Sequence, residues 1–247
     1  MDAQRVLVTG SSRGIGRAIA IRLAESGWNV ALHYVNDAGE AEIVRKALAE
    51  RAAGLYQADL AKAGAGTRLF ERVLRDGAID AVVNNAGVYM PLDFIEAGDA
   101  VFEANHHRTF AVNFQAPLEL TRAACRHFAE GNGGKVLNVA SRVGFKGEGG
   151  AALYAASKAA LISLTRSLAV ELAARNIQLF GIAPGWVDTA MARDGMDDRL
   201  TTILEGIPLG RMGSPEDCAA AANFLLSGEA AYLSGVVIDI NGASYFH

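Results

Sequence analysis

Tyr154 and Lys158 stand four residues apart in a stretch of helical period, a spacing that sets both side chains on one face of a helix. A phenol has an unperturbed pKa of about 10, too high to trade protons readily at neutral pH. A neighbouring ammonium favours the phenolate and lowers that value. Such a pair could pass a proton to or from the oxygen of a carbonyl or an alcohol. Ser141, at the end of a predicted strand, could hydrogen-bond the same oxygen and orient it toward Tyr154. Each of these residues also has a plainer reading. A Tyr/Lys pair at this spacing fits a solvated helix face, Ser141 a strand-end hydroxyl, Asn84-Asn85 a turn and Asn113 a helix cap.

A second set of residues could hold a phosphate-bearing ligand. Thr9-Gly10-Ser11-Ser12-Arg13-Gly14-Ile15-Gly16 joins an apolar strand to an amphipathic helix. Glycine at three positions permits a tight turn, close approach of the backbone and close packing of helix on strand. The exposed amides at the helix start favour a phosphate. The spacing is G-x-x-x-G-x-G rather than G-x-G-x-x-G. The strand-loop-helix context is what separates a dinucleotide loop from a plain turn. The next strand ends in His33-Tyr34-Val35-Asn36, which offers no acid to bind the ribose hydroxyls of NAD, and Arg13 adds positive charge beside the loop. Asp37 falls about 20 residues beyond the loop, near the usual place of that acid. Asp37-Ala38-Gly39-Glu40 also reads as a capping box opening the next helix. With Asp37 taken as the cap, NADP(H) is expected in preference to NAD(H).

In sum the chain resembles the classical short-chain dehydrogenase/reductase family over essentially its whole length. The pieces that carry the likeness are the loop from Thr9 to Gly16, Asp59-Leu60, Asn84-Asn85-Ala86-Gly87, Asn113, Ser141, Tyr154-Ala155-Ala156-Ser157-Lys158 and Pro184-Gly185-Trp186-Val187-Asp188-Thr189, in order and at family spacing. The resemblance implies an oxidoreductase that interconverts a carbonyl and an alcohol, with Asn113, Ser141, Tyr154 and Lys158 catalytic. Asn113 would help hold a water chain from the lysine to solvent, and Tyr154 and Lys158 would also bind the cofactor, Lys158 at the nicotinamide ribose. The cofactor would be held by Gly10, Ser12, Arg13, Gly14, Ile15 and Gly16. Asp59 would touch its adenine ring, with Leu60 packed alongside, and Asn85, Ala86 and Gly87 would lie against the adenosine ribose. Val187 and Thr189 would hold the nicotinamide amide and pyrophosphate, above a turn shaped by Pro184 and Gly185.

Within that family the C-terminal half looks most like 3-oxoacyl-[acyl-carrier-protein] reductases, through Ile207-Pro208-Leu209-Gly210-Arg211, Ala231-Tyr232-Leu233-Ser234-Gly235 and Asn241-Gly242. A 3-oxoacyl thioester or related ketone is the substrate this implies, free or borne on an acyl-carrier protein. A free sugar, polyol or other small alcohol is the alternative. A dinucleotide-sensing regulator would need the glycine loop but not the catalytic four, and all four are present. The sequence departs from the pattern at Ala243, where a second glycine is common, at Phe180, where an asparagine is common, and at His106-His107, often Trp-Asp. Such reductases use two basic residues at the cleft mouth to dock the acidic carrier. Arg175 matches one, and Asn132 stands at the other. Phe145, Trp186, Met191 and Met196 predict an apolar pocket. The resemblance further implies a homotetramer, paired through the helices around Ala116–Ala129 and Tyr154–Ala173.

These side chains need a frame. Apolar runs predict strands at Arg5–Thr9, Asn29–Tyr34, Gly54–Ala58, Ile79–Val83, Lys135–Ala140, Ile177–Ile182 and Val236–Ile240, mostly continuous, as parallel strands covered on both faces should be. Helical periods lie between them, with Ile15, Ala18, Ile19 and Leu23 giving the first helix an apolar stripe and Leu161, Leu164, Leu168 and Leu172 a later one. The alternation runs end to end without a linker or repeat. It predicts a single α/β domain over 1–247, a doubly wound parallel sheet of about seven strands with helices on both faces. Loops at 144–150 and 185–213 interrupt it and are expected to wall the substrate. With 51% hydrophobic and 20% charged residues and a net charge of −4, nothing favours nucleic acid or anionic lipid. No apolar run approaches the roughly 18 residues of a membrane span. His106 and His107 point apart on a helix, so no metal is expected. Two cysteines, Cys125 and Cys218, without redox spacing, and a first strand too close to the start for a cleavable leader, predict a cytoplasmic protein.

Overall fold

The apolar runs assemble into one parallel sheet. In the computed structural model, which describes residues 3–193 and 200–247, the strands are β1 (Arg5–Val8), β2 (Asn29–Tyr34), β3 (Ala52–Gln57), β4 (Ala81–Asn84), β5 (Gly134–Val139), β6 (Ile177–Pro184) and β7 (Val237–Ile240), in the spatial order β3-β2-β1-β4-β5-β6-β7. The chain winds outward one way from β1 to β3, then returns to β4 and winds the other way. A crevice opens above the carboxyl ends of β1 and β4, where the order reverses. The expected strands are all present, with ends displaced by up to two residues.

The helices are α1 (Gly14–Glu25), α2 (Ala38–Leu48), α3 (Ala65–Arg75), α4 (Asp99–Phe110), α5 (Ala116–Glu130), α6 (Ala152–Leu172), α7 (Ala190–Arg193), α8 (Leu200–Glu205) and α9 (Pro215–Leu226). Side chains alternate across each strand, so Val6 and Val8 face one core and Leu7 the other. On the first face Ile19 and Leu23 of α1, Val44 of α2 and Leu225 of α9 bury against β1, β2 and β6. On the second, Phe70 of α3, Leu120 and Phe128 of α5 and Ala169 of α6 do the same. The α1 stripe is the expected one. In α6 the buried line is Leu161, Ile162, Thr165 and Ala169, with Leu168 and Leu172 at its edge, because the helix is covered on more than one side.

Two local features bear on the site. Between α4 and α5 the helix makes one π turn at Ala111–Gln115, an irregularity often found where a side chain must be re-aimed. Asn113 sits in it and is fully buried, so it is not the helix cap that its residue type also allowed. No helix among the described residues is long and apolar enough to cross a membrane.

Candidate active site

Above the sheet's carboxyl edge lies a cleft of about 550 Å³. All the residues expected to bind the cofactor line it: Gly10, Ser12, Arg13, Gly14, Ile15 and Gly16, then Asp59, Leu60, Asn85, Ala86 and Gly87, then Pro184, Gly185, Val187 and Thr189. Ser141, Tyr154 and Lys158 line it as well. Asn113 stands behind the wall.

Why the loop has this shape follows from its contacts. Arg13 is extended at the N-cap of α1 and no side chain caps the helix, so the first amides of α1 are left for a ligand. A Cβ on Gly16 would run into the Gly10 carbonyl and the Asn85 side chain. On Gly14 it would stand 3.3 Å from Thr189 Cγ2. Thr9 ties the loop to the end of β4. Its Oγ1 donates to the Val83 carbonyl at 3.1 Å and accepts from the amides of Asn85 and Ala86 at 2.9 and 3.0 Å. Asn84 closes β4 and is buried, donating to Asn138 Oδ1 at 2.8 Å and Thr121 Oγ1 at 3.1 Å, so it is part of the strand rather than a turn.

Asp37 caps α2 by accepting from the Glu40 amide at 2.9 Å. The other half of the expected box is not made. Glu40 instead lies 3.7 Å from Arg17. The carboxylate of Asp37 thus stands at the cleft edge already engaged by its own helix.

Tyr154, near the start of α6, meets Tyr89 edge-on with ring centroids 5.1 Å apart. Burial pushes its phenol up to about 12, a hydrogen bond with Ser141 pulls the other way, and Tyr89 and Glu148 add to the rise. Lys158 lies 5.7 Å from the Tyr154 ring centroid and donates to the Val139 carbonyl at 2.8 Å. Burial lowers its ammonium to about 8. The expectation of a phenol lowered by this lysine is therefore corrected: burial is the largest influence on Tyr154 and raises its pKa, so the phenol keeps its proton at neutral pH. Asn113 accepts from the Val88 amide at 2.8 Å and donates to the Val88 carbonyl at 2.9 Å and to Ser157 Oγ at 3.2 Å. It pins the strand end beside Gly87, where a Cβ would be 3.4 Å from Asn113 Oδ1 and 3.6 Å from Lys158 Nζ.

The chain is similar to known proteins over nearly its whole length. A family model described as Enoyl-(Acyl carrier protein) reductase matches residues 10–243. The 3-oxoacyl-[acyl-carrier-protein] reductase FabG of Staphylococcus epidermidis is 35% identical, covering 97% of this chain and 98% of its own. The chain belongs to the short-chain dehydrogenase/reductase family. It is an NAD(P)-dependent oxidoreductase acting on CH–OH and C=O groups. Two solved structures are also similar. One is a blue fluorescent protein from a metagenomic library in complex with NADPH (TM-score 0.91, 31% identity, 99% of each chain). The other is a 3-oxoacyl (acyl-carrier-protein) reductase from Agrobacterium tumefaciens with NADP bound (TM-score 0.89, 31% identity, 97% of this chain and 93% of that one).

The predicted pocket and docking residues do not all stand at the cleft. Phe145 does not line the cleft. Its ring stacks on His247 at 3.8 Å, with Arg166 5.4 Å away. Trp186 and Met191 do line it, and Met196 lies outside the described residues. Arg175 and Asn132 precede β6 and β5, at the amino edge of the sheet. Parallel strands put the cleft at the opposite edge, so neither residue stands at its mouth within one chain.

His33 is placed by the sequence only at the end of a strand and is assigned no role. It is fully buried in β2, accepts from the Gly10 amide through Nδ1 at 3.0 Å and contacts the Ala58 carbonyl through Nε2 at 3.0 Å. These bonds make Nε2 the protonated nitrogen. Burial lowers its pKa to about 4. A neutral imidazole thus ties the glycine loop to the segment before Asp59. The available signal was a polar ring inside an otherwise apolar strand.

Proposed function

We propose that this chain reduces a ketone to the alcohol with NADPH, a 3-oxoacyl thioester being the foremost substrate class. The observation that carries the reading is the convergence of Ser141, Tyr154 and Lys158 with the glycine loop around one cleft. The close likeness to 3-oxoacyl reductases supports the substrate class.

The glycine cradle and the uncapped start of α1 fit a dinucleotide pyrophosphate. NADPH supplies the hydride when bound. Ser141 holds the carbonyl oxygen, and Tyr154, whose phenol stays protonated near neutral pH, gives that oxygen its proton. Lys158 and Asn113 flank Gly87 behind it, placed to return a proton to Tyr154 and to grip the ribose. Arg13 beside the loop and the engaged carboxylate of Asp37 favour the 2′-phosphate of NADP over the bare ribose of NAD. Cys125 and Cys218 stand as free thiols, which suits a reducing compartment such as the cytoplasm. The whole chain acts as one catalytic domain, and we assign it a homotetramer paired through α5 and α6.

Replacing Tyr154 with Phe is expected to cut turnover of an activated ketone by at least about 100-fold while NADPH still binds, as followed by its fluorescence. Unchanged turnover would remove Tyr154 from the chemistry. The same titration with NADH should show weaker binding, and a clear NADH preference would return Asp37 to the ribose.

A further inference from the structure

Directly after Ser141 the cleft wall becomes charged. Arg142 is only 7% exposed, a rare position for a guanidinium without a partner. Its Nη2 donates to Glu148 Oε2 at 3.0 Å and its Nη1 to Ser244 Oγ at 2.9 Å. Its Nε is buried and unpartnered. Arg142 and Glu148 both line the cleft that holds Tyr154, and the charge of Glu148 reaches the phenol, raising its pKa.

Stability does not account for this pair. Removing two charges from water is costly, and apolar residues of similar volume often serve as well or better. The neighbouring wall shows that apolar lining is available here, through Trp186 and Met191. What the pair does provide is a carboxylate of fixed position near the reacting phenol. Arg142 engages Oε2, which leaves Oε1 to accept from a ligand. A carboxylate there would repel an anionic substituent and would receive a hydroxyl in a charge-assisted hydrogen bond, stronger than a neutral one.

We propose that Glu148, held in place by Arg142, accepts a hydrogen bond from a hydroxyl carried beside the substrate's reacting carbonyl, so that the enzyme selects hydroxylated ketones over equally large ones without a donor. This rests on the reductase reading above and, within it, favours the free hydroxylated substrate over a 3-oxoacyl thioester, whose reacting carbonyl has no hydroxyl beside it. A site built to bond a hydroxyl discriminates strongly against an analogue that lacks it, because the acceptor is then left desolvated and unpaired.

The test uses two isomers, 1-hydroxy-2-butanone and 1-methoxy-2-propanone. Both carry an oxygen next to the carbonyl, so both are similarly activated, and only the first can donate. With the full-length enzyme and NADPH, kcat/KM is expected to favour the hydroxyketone by at least about tenfold. Glu148→Gln should shrink that ratio, and the double variant Arg142→Met with Glu148→Leu should bring it near one. The ratio is read within each variant, so a general loss of activity does not mimic the effect, and Glu148→Gln covers the case in which the double variant fails to fold. Equal use of the two isomers by the parent enzyme overturns the proposal, as does a ratio unmoved in Glu148→Gln. If no ketone or thioester is turned over at all, the reductase reading itself falls.

Discussion

The individual residues of this site divide by how far chemistry alone could identify them. Tyr154 and Lys158 at four-residue spacing mean little by themselves, and the fold confirms only that they share a cleft wall with Ser141. The direction in which the Tyr154 phenol is displaced could not be read from the chain, since it depends on how much protein surrounds the ring. His33 and Arg142 depend likewise on partners that the fold brings together: His33 bonds residues 23 and 25 positions away, and Arg142 joins Glu148, 6 residues on, to Ser244, 102 residues on. His33 also makes a testable pH dependence. Its folded pKa of about 4 lies below its ordinary 6.5, so between those values the unfolded chain binds the extra proton. Native stability is therefore full above about pH 6.5 and falls as the pH drops toward 4. Denaturant unfolding at pH 7 and pH 5 should show a loss of about 2 kcal/mol from this residue, and His33→Asn should flatten the difference between the two.

At the scale of elements, apolar periodicity located every strand, because a doubly covered parallel sheet leaves continuous apolar runs. It could not place the π turn at Ala111–Gln115. That turn answers to the backbone of Val88, which Asn113 must reach, and no local pattern encodes it. The glycine loop was legible in full, since strand, glycines and helix start are contiguous. Its tolerance can be tested at Gly16, where a side chain would strike the Gly10 carbonyl and Asn85. Gly16→Ala should weaken NADPH binding by roughly tenfold, in line with the 1–3 kcal/mol typical of overpacking, as measured by fluorescence titration. Wild-type affinity in that variant would mean the loop can shift without cost.

For the whole molecule, the strand order decides what faces what. Arg175 and Asn132 could be matched to family positions by sequence, but their place at the amino edge of the sheet only follows from parallel topology. A carrier docked on Arg175 would therefore stand away from the cleft of the same chain. The proposed tetramer carries its own check. Val170, on α6, is 84% exposed in the single chain, and burying a valine contributes about 1.5–3 kcal/mol. Val170→Glu should shift the protein toward smaller assemblies by light scattering, with an unchanged mass counting against pairing through α6. The reversal of strand order beside β1 has a further consequence. Residues proposed to grip the dinucleotide lie mostly before residue 90, and those proposed to read the substrate lie mostly beyond 140. Selection can thus rewrite one half of the gene for a new alcohol while the other half keeps its redox currency, and a chimera joined between β4 and β5 would inherit each preference from a different parent.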